Sequence, residues 1–170
     1  MTRIMLDIET MGLAPGSAIT SIGAVKFGGG KITERFYRRI SLQSCIDAGL
    51  TMDASTVLWW MQQGDKARSE LNEPGVTIYR GLLDFSIFIA GEDVEIWGNG
   101  AAYDNVLVAC ACKKVSVDAP WAHRKSLCYR TVKAMHPHVQ PFGFQKGVRH
   151  NALDDAESQA LHLMAILPYL

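Results

Sequence analysis

Alternation of apolar and polar residues near the start of the chain predicts three β-strands. From Arg3 to Glu9 every second residue is aliphatic, and two carboxylates, Asp7 and Glu9, share the opposite side. The next two β-rich runs cover Ile19 to Phe27 and Glu34 to Ser41, and the Gly-Gly-Gly-Lys segment between them predicts a hairpin connection.

Helical spacing dominates the rest of the chain, interrupted by two short strands. The predicted strands are Val94 to Trp97 and Lys125 to Cys128. The predicted helices are Asp53 to Gln63 with Asp53 as the cap, Tyr79 to Ala90, Ala101 to Cys112, Thr131 to Met135 and Asn151 to Leu167. Hairpin strands followed by alternating helices and strands predict a mixed α/β layer fold.

Composition changes this picture little. The 170 residues are 48% hydrophobic and 20% charged, so we expect a single domain over residues 1–170 with a full apolar core. The four cysteines include no Cys-x-x-Cys pair, and no apolar run approaches the roughly 20 residues of a membrane helix. We therefore expect reduced thiols, a cytoplasmic location and no membrane partner.

Charge is balanced over the whole chain but not along it. The 17 Lys and Arg equal the 17 Asp and Glu, whereas the stretch from Lys113 to His150 holds eight Lys or Arg and one acid, Asp118. A cationic surface beside an acidic pocket would produce this pattern, and so would solvated loops and helix faces. If the partner of such a surface is a nucleic acid, the candidates for holding its backbone phosphates are Arg124, Lys125, Arg130, Lys146 and Arg149.

Asp7 and Glu9 are candidate metal ligands. Two residues apart on a strand, their side chains point the same way and are about 6.6 Å apart along it, a spacing that admits a divalent cation. Because their neighbours are apolar, the carboxylates need a metal, an ion pair or a proton. An ordinary charged pair on an exposed strand face is the alternative.

Further acids and a histidine occur at predicted helix starts. Asp104 follows the strand break around Gly98, and His150 lies just before the last helix with Asp155 one turn in. Acids in a first turn are also favoured by the helix dipole, and His150 could be a simple cap. Each position alone is therefore ambiguous.

Together, these positions resemble a known enzyme family. The D-x-E pair, the distant Asp and H-x-A-x-x-D match, in order, the motifs of the DEDDh 3′-to-5′ exonucleases, which include ribonuclease T, oligoribonuclease and polymerase proofreading subunits. The similarity is greatest to compact phage and prophage exodeoxyribonuclease-eight-like proteins. It covers residues 2 to 168, although the region from Leu42 to Glu92 carries no matching motif.

The resemblance implies a ribonuclease-H-like sheet of five strands flanked by helices. It implies that Asp7, Glu9, Asp104 and Asp155 hold two Mg²⁺ or Mn²⁺ ions and that His150 is the general base. The expected product is a nucleoside 5′-monophosphate, released from the 3′ end of single-stranded RNA or DNA. The resemblance also implies a homodimer. Candidate substrate-binding residues, also by resemblance, are Thr10, Met11, Leu13 and Asn99.

Several alternatives stay open at this stage. Trp59 and Trp60 could stack on bases, but adjacent helix positions diverge by about 100°, so at most one faces the site and core packing is favoured for the other. A zinc site at Cys110, Cys112, Cys128, His136 and His138 is disfavoured, because thiols one residue apart on a helix splay by about 200°. The functional alternatives are a catalytically silent nucleic-acid-binding protein of the same fold and an endonuclease.

Overall fold

A computed structural model describes residues 2–89, 93–100, 102–140, 144, 147 and 150–169 of the chain. Five strands form one mixed sheet in the order β3-β2-β1-β4-β5. β1 pairs antiparallel with β2 and β2 with β3, whereas β4 runs parallel to both β1 and β5. The strands are β1 (Thr2–Thr10), β2 (Ile19–Gly28), β3 (Lys31–Arg39), β4 (Val94–Gly98) and β5 (Ser126–Cys128).

Seven α-helices are assigned in the described part of the chain. They are α1 (Leu42–Asp47), α2 (Ala54–Met61), α3 (Asp65–Asn72), α4 (Ile78–Ile89), α5 (Asp104–Lys114), α6 (Tyr129–Met135) and α7 (Ala152–Ile166). Short 3-10 turns cover His123–Lys125 and Leu167–Tyr169. The predicted mixed five-stranded sheet flanked by helices is confirmed.

Two apolar cores lie on the two faces of the sheet because the strand side chains alternate. On one face Ile4, Leu6 and Ile8 pack with residues of α1 to α5, such as Phe85. On the other face Met5, Val25 and Trp97 pack against α6 and α7. Asp7 and Glu9 continue the row of Met5, so both carboxylates lie on the α7 face.

Some local predictions need correction. Helices α1 and α3 were not predicted, and α5 begins at Asp104 instead of Ala101. Asp53 occupies the N-cap position of α2 without a side-chain capping bond, since its Oδ2 accepts from the Leu13 amide at 3.3 Å. Asn151, not His150, caps α7 by accepting from the amides of Leu153 and Asp154.

Membrane insertion finds no support among the described helices, none of which combines the length and the apolar character of a spanning segment. All four cysteines are free thiols.

Candidate active site

A cavity of about 520 Å³ opens at the carboxyl end of β1. The five residues predicted as catalytic all line it: Asp7, Glu9, Asp104, His150 and Asp155. They come from β1, from the start of α5 and from the start of α7, which are far apart in sequence. The topology therefore brings together groups that sequence spacing alone could only suggest.

Close packing of α7 on the sheet brings its first turn to the β1 carboxylates. Asp7 pairs with Gly23 of β2, and a Cβ on Gly23 would lie 2.2 Å from the carbonyl carbon of Ala152. Only glycine leaves room for the backbone of α7 at this point. The contact carries Asp155, one turn further on, over the same face of the sheet.

Asp104 is held rigidly beside β1. It is only 2% exposed, and its two carboxylate oxygens accept from different amides, Oδ1 from Ile8 at 3.3 Å and Oδ2 from Asn99 at 2.8 Å. Gly98 permits this turn, because a Cβ there would lie 2.6 Å from Oδ1 of Asn105. The tight end of β4 thus fixes the third carboxylate.

His150 is oriented by its backbone and by an aromatic neighbour. Its φ of 64° lies in the left-handed region, and its amide donates to Oδ2 of Asp155 at 2.9 Å. Its ring meets the Trp59 ring edge to face, with centroids 5.0 Å apart. Ligand atoms of Glu9, His150 and Asp155 all lie within 4.8 Å of one another.

Burial and mutual repulsion raise the pKa values of the carboxylates in the cavity. Burial, then the charges of Asp104, Glu9 and Asp155, raise the pKa of Asp7 well above its usual range. Burial and the same kind of repulsion raise the pKa of Glu9 to about 8. Burial raises the pKa of Asp104 to about 6, although the amides of Asn99 and Ile8 oppose the shift.

This donor set fits divalent cations. Hard ions such as Mg²⁺ and Mn²⁺ prefer carboxylate oxygens, and four carboxylates converge here. Because burial and mutual repulsion disfavour the charged form of Asp7 and Glu9, bound cations would stabilise these carboxylates. The four carboxylates can therefore hold a divalent metal ion. Among the residues that the structure describes, no second group with metal-binding geometry was found, so the zinc alternative gains no support.

Several residues that line the cavity were not predicted as site residues, among them Gln159 and Lys133, whereas Arg130 was predicted as a candidate for holding phosphates. Gln159, one turn after Asp155 on α7, donates through Nε2 to Asp7 Oδ1 at 2.7 Å. Arg130 and Lys133 project from α6 into the cavity wall. The i, i+4 spacing of Asp155 and Gln159 was a signal for Gln159, whereas nothing in the sequence set Lys133 apart from other cations of the basic stretch.

The predicted substrate-binding residues are less uniformly placed. Asn99 lines the cavity, and its backbone amide donates to Oδ2 of Asp104. Thr10 is buried, with its hydroxyl donating to Gly12 O and hydrogen-bonded to the Tyr103 hydroxyl. Met11 is 5% exposed within the core, and Leu13 is 70% exposed outside this cavity. Their role in substrate binding stays a prediction.

Trp59 and Trp60 lie in different environments, as adjacent positions on a helix require. Trp60 is 3% exposed and donates from Nε1 to Thr10 O at 2.9 Å, so it belongs to the core. Trp59 is 40% exposed and lines the cavity beside His150.

Only part of the predicted cationic set reaches the site. Arg130 lines the cavity, whereas Lys125 pairs with Asp93 at 3.0 Å and Arg124 lies outside the lining. Lys146 and Arg149 lie outside the described residues. Asp154, next to Asp155 on α7, lies outside the cavity lining.

A mixed sheet with four carboxylates and a histidine in one cavity is the arrangement that the resemblance to the DEDDh 3′-to-5′ exonucleases implied. The model of the 3′-5′ exoribonuclease Rv2179c-like domain family matches residues 2–167, and the chain belongs to that family. Comparison with curated protein sequences gave no match.

Solved structures confirm the ribonuclease-H-like fold. E. coli exonuclease I in complex with a dT13 oligonucleotide is similar over 98% of this chain, with a TM-score of 0.64 and 14% identity. A product-bound structure of exonuclease I is similar over 99%, with a TM-score of 0.66 and 12% identity. This chain covers 40% and 45% of those two chains, so the likeness establishes the fold and no more.

Proposed function

We propose that this protein hydrolyses single-stranded nucleic acid from the 3′ end and releases nucleoside 5′-monophosphates. The observation that carries the proposal is the convergence of Asp7, Glu9, Asp104, Asp155 and His150 in one cavity. We place this activity in one exonuclease domain over residues 1–170.

RNA is the substrate that we propose first. The family to which the chain belongs is described as exoribonucleolytic, and this supports RNA. The exonuclease I neighbours, by contrast, were solved with DNA oligonucleotides such as dT13. A direct comparison of the two sugars is therefore part of the test.

The four carboxylates are proposed to hold two Mg²⁺ or Mn²⁺ ions. When bound, such a pair supplies positive charge to the attacking and leaving oxygens of a phosphodiester displacement. Asp7 and Asp104 are fixed by Gln159 and by two backbone amides, so these carboxylates are oriented before substrate arrives. Asp155 is tied to His150 through the His150 amide.

His150 is proposed as the general base that takes a proton from the attacking water. A neutral imidazole suits this role near neutral pH. The contact between its ring and Trp59 restricts the ring, while the bond from its amide to Asp155 keeps the backbone in place. Trp59 also presents a partly exposed aromatic surface at the cavity wall.

Matched RNA and DNA oligonucleotides test the proposal. With Mg²⁺ or Mn²⁺, a 5′-labelled RNA strand should shorten one nucleotide at a time, and a 3′-labelled strand should release labelled mononucleotide at once. EDTA should stop both reactions. Faster loss of DNA would reverse the sugar preference, and internal fragments would indicate an endonuclease. Binding without cleavage under every metal would support the silent binding protein.

Two further features belong to this proposal. We propose a homodimer, as the resemblance implies, and light scattering should give twice the chain mass of 18.7 kDa. The four free thiols support the proposed cytoplasmic location, where thiols stay reduced. A labelled copy of the protein in cell fractions would test the location.

A further inference from the structure

Arg130 and Lys133 lie one helical turn apart on α6 and therefore project from the same side of that helix. Both side chains are exposed, and both line the acidic cavity. Both also line a second cavity of about 360 Å³ that lies against α6 and the segment after it. The pair therefore stands where the two cavities meet.

Arg130 differs from most other arginines in the described part of the chain, and Lys133, like several other lysines there, also has no carboxylate partner. Most of the described arginines form a salt bridge with a carboxylate, for example Arg35 with Glu157 and Arg38 with Asp84. Within that same part, neither Arg130 nor Lys133 makes a salt bridge. Arg130 lines the same cavity as Asp104, so its positive charge lies beside the carboxylates.

The wall that carries the pair is rigid. The Tyr129 hydroxyl hydrogen-bonds to His162 Nδ1 at 2.6 Å, and His162 Nε2 contacts the carbonyl oxygen of Val139 at 2.8 Å. Since a carbonyl only accepts, Nε2 of His162 is the donor and Nδ1 accepts from Tyr129. Buried His162 thus ties α6, α7 and the lining residue Val139 together, and the ammonium of Lys133 sits 5.9 Å from the Tyr129 ring centroid.

The second cavity has the chemistry of a base-binding site. Ala134, Pro137 and Val139 give it apolar walls, and Gln140 adds an amide. A nucleotide next to a bound phosphate would place the face of its base against the apolar side chains and its edge near the Gln140 amide. A strand that approaches four carboxylates also needs compensating cations at this position.

We propose that Arg130 and Lys133 bind the backbone phosphates of the substrate strand just upstream of the bond to be cut, and that the second cavity takes the base of the penultimate nucleotide. This inference rests on the proposed function, because it assigns the path of the strand into that site. It assigns these residues to substrate binding and not to the chemical step.

Binding is measured first, without turnover. Fluorescence anisotropy of a labelled single-stranded dodecanucleotide in EDTA gives Kd for wild type, Arg130→Gln, Lys133→Gln and the double variant. The double variant should bind about tenfold more weakly, and the slope of log Kd against log salt should fall by about 0.7 for each cation that no longer binds a phosphate. Lys31→Gln, in the hairpin at the far end of the sheet, is the matched control for the removal of a positive charge.

Steady-state kinetics then separates the contribution of the upstream strand to binding from that of the terminal nucleotide. The double variant should lose more kcat/KM on the dodecanucleotide than on a dinucleotide, chiefly through KM. In wild type, removing only the base of the penultimate nucleotide should raise KM, because the contact of that base with Ala134, Pro137 and Val139 is lost. A double variant that matches Lys31→Gln in Kd, salt slope and length preference would overturn the phosphate assignment.

The two proposals fail in distinguishable ways. If wild type binds the strand but cleaves nothing, the proposed exonuclease function fails while the anisotropy still tests the pair. An unchanged KM for the substrate that lacks the penultimate base would overturn the assignment of the second cavity alone.

Discussion

Gln159 donates its side-chain amide to Asp7 Oδ1 over 2.7 Å, although 152 positions separate the two residues in the chain. The bond occupies one oxygen of a carboxylate whose charged form is disfavoured by burial and by three other acids. It therefore fixes the direction in which the other oxygen of Asp7 faces the cavity, and it makes the last helix part of the metal-binding arrangement.

Gln159→Leu should reduce both metal affinity and kcat/KM by about 10- to 100-fold, because residues that orient metal ligands have effects of that size. Metal titration by calorimetry and steady-state kinetics measure the two quantities. Gln43→Leu is the matched control, since it removes a similar 2.8 Å bond to Asp47 on the exposed face of α1. Equal behaviour of the two variants would contradict an orienting role for Gln159.

His150→Ala should lower kcat by about 10²- to 10⁴-fold while Mg²⁺ still raises the melting temperature of the protein. The expectation follows from a role in proton transfer, since general-base catalysis typically contributes a rate factor of that size. Thermal denaturation with and without Mg²⁺, alongside single-turnover kinetics, separates the two effects. Loss of the Mg²⁺-induced stabilisation would instead make His150 a metal ligand.

Gly23→Ala should destabilise the fold by about 1 to 3 kcal/mol and reduce activity, because the new Cβ collides with the backbone of Ala152 and pushes α7 off the sheet. Gly28→Ala is the matched control, since a Cβ at Gly28 meets nothing within 4 Å. Urea denaturation and turnover measure the two effects. If both variants behave alike, close approach of α7 at Gly23 is not needed.

The sequence was most informative where periodicity and motif order acted together. Alternation in β1 placed Asp7 and Glu9 on one face, and the last helix was correctly expected to begin after His150 with Asp155 one turn in. It was less informative over residues 42–92, where α1 and α3 are short and take their place from tertiary packing more than from intrinsic propensity.

Side-chain partners across the fold could not be predicted in the same way. The bond from Gln159 to Asp7 and the contact of Trp59 with His150 depend on how α7 and α2 pack, which no local pattern encodes. Likewise, Lys125 and Arg130 both belong to one basic stretch, yet one pairs with Asp93 and the other lines the cavity. Charge counting alone does not separate them.

Without metal, the stability difference between wild type and Glu9→Gln should depend on pH. The pKa of Glu9 is about 8 in the folded protein and about 4.3 when unfolded, so the folded state binds its proton more tightly. Its contribution to stability is full below the unfolded pKa and is lost as pH rises towards about 8.

Melting temperatures in EDTA check this sign. The wild-type value minus the Glu9→Gln value should fall between about pH 5 and about pH 8. Adding Mg²⁺ at the higher pH should raise the wild-type melting temperature more than that of the variant. A difference that stays constant, or that rises with pH, would contradict the raised pKa of Glu9.

The most direct test of the central claim compares two neighbouring acids in the first turn of α7. Asp155 lines the acidic cavity, whereas the adjacent Asp154 does not. Asp155→Asn and Asp154→Asn remove the same charge from the same helical turn, and each is assayed with Mg²⁺ on 5′-labelled single-stranded RNA. We predict that Asp155→Asn abolishes the shortening ladder and that Asp154→Asn retains it. A ladder of wild-type rate from Asp155→Asn would contradict the proposed carboxylate site.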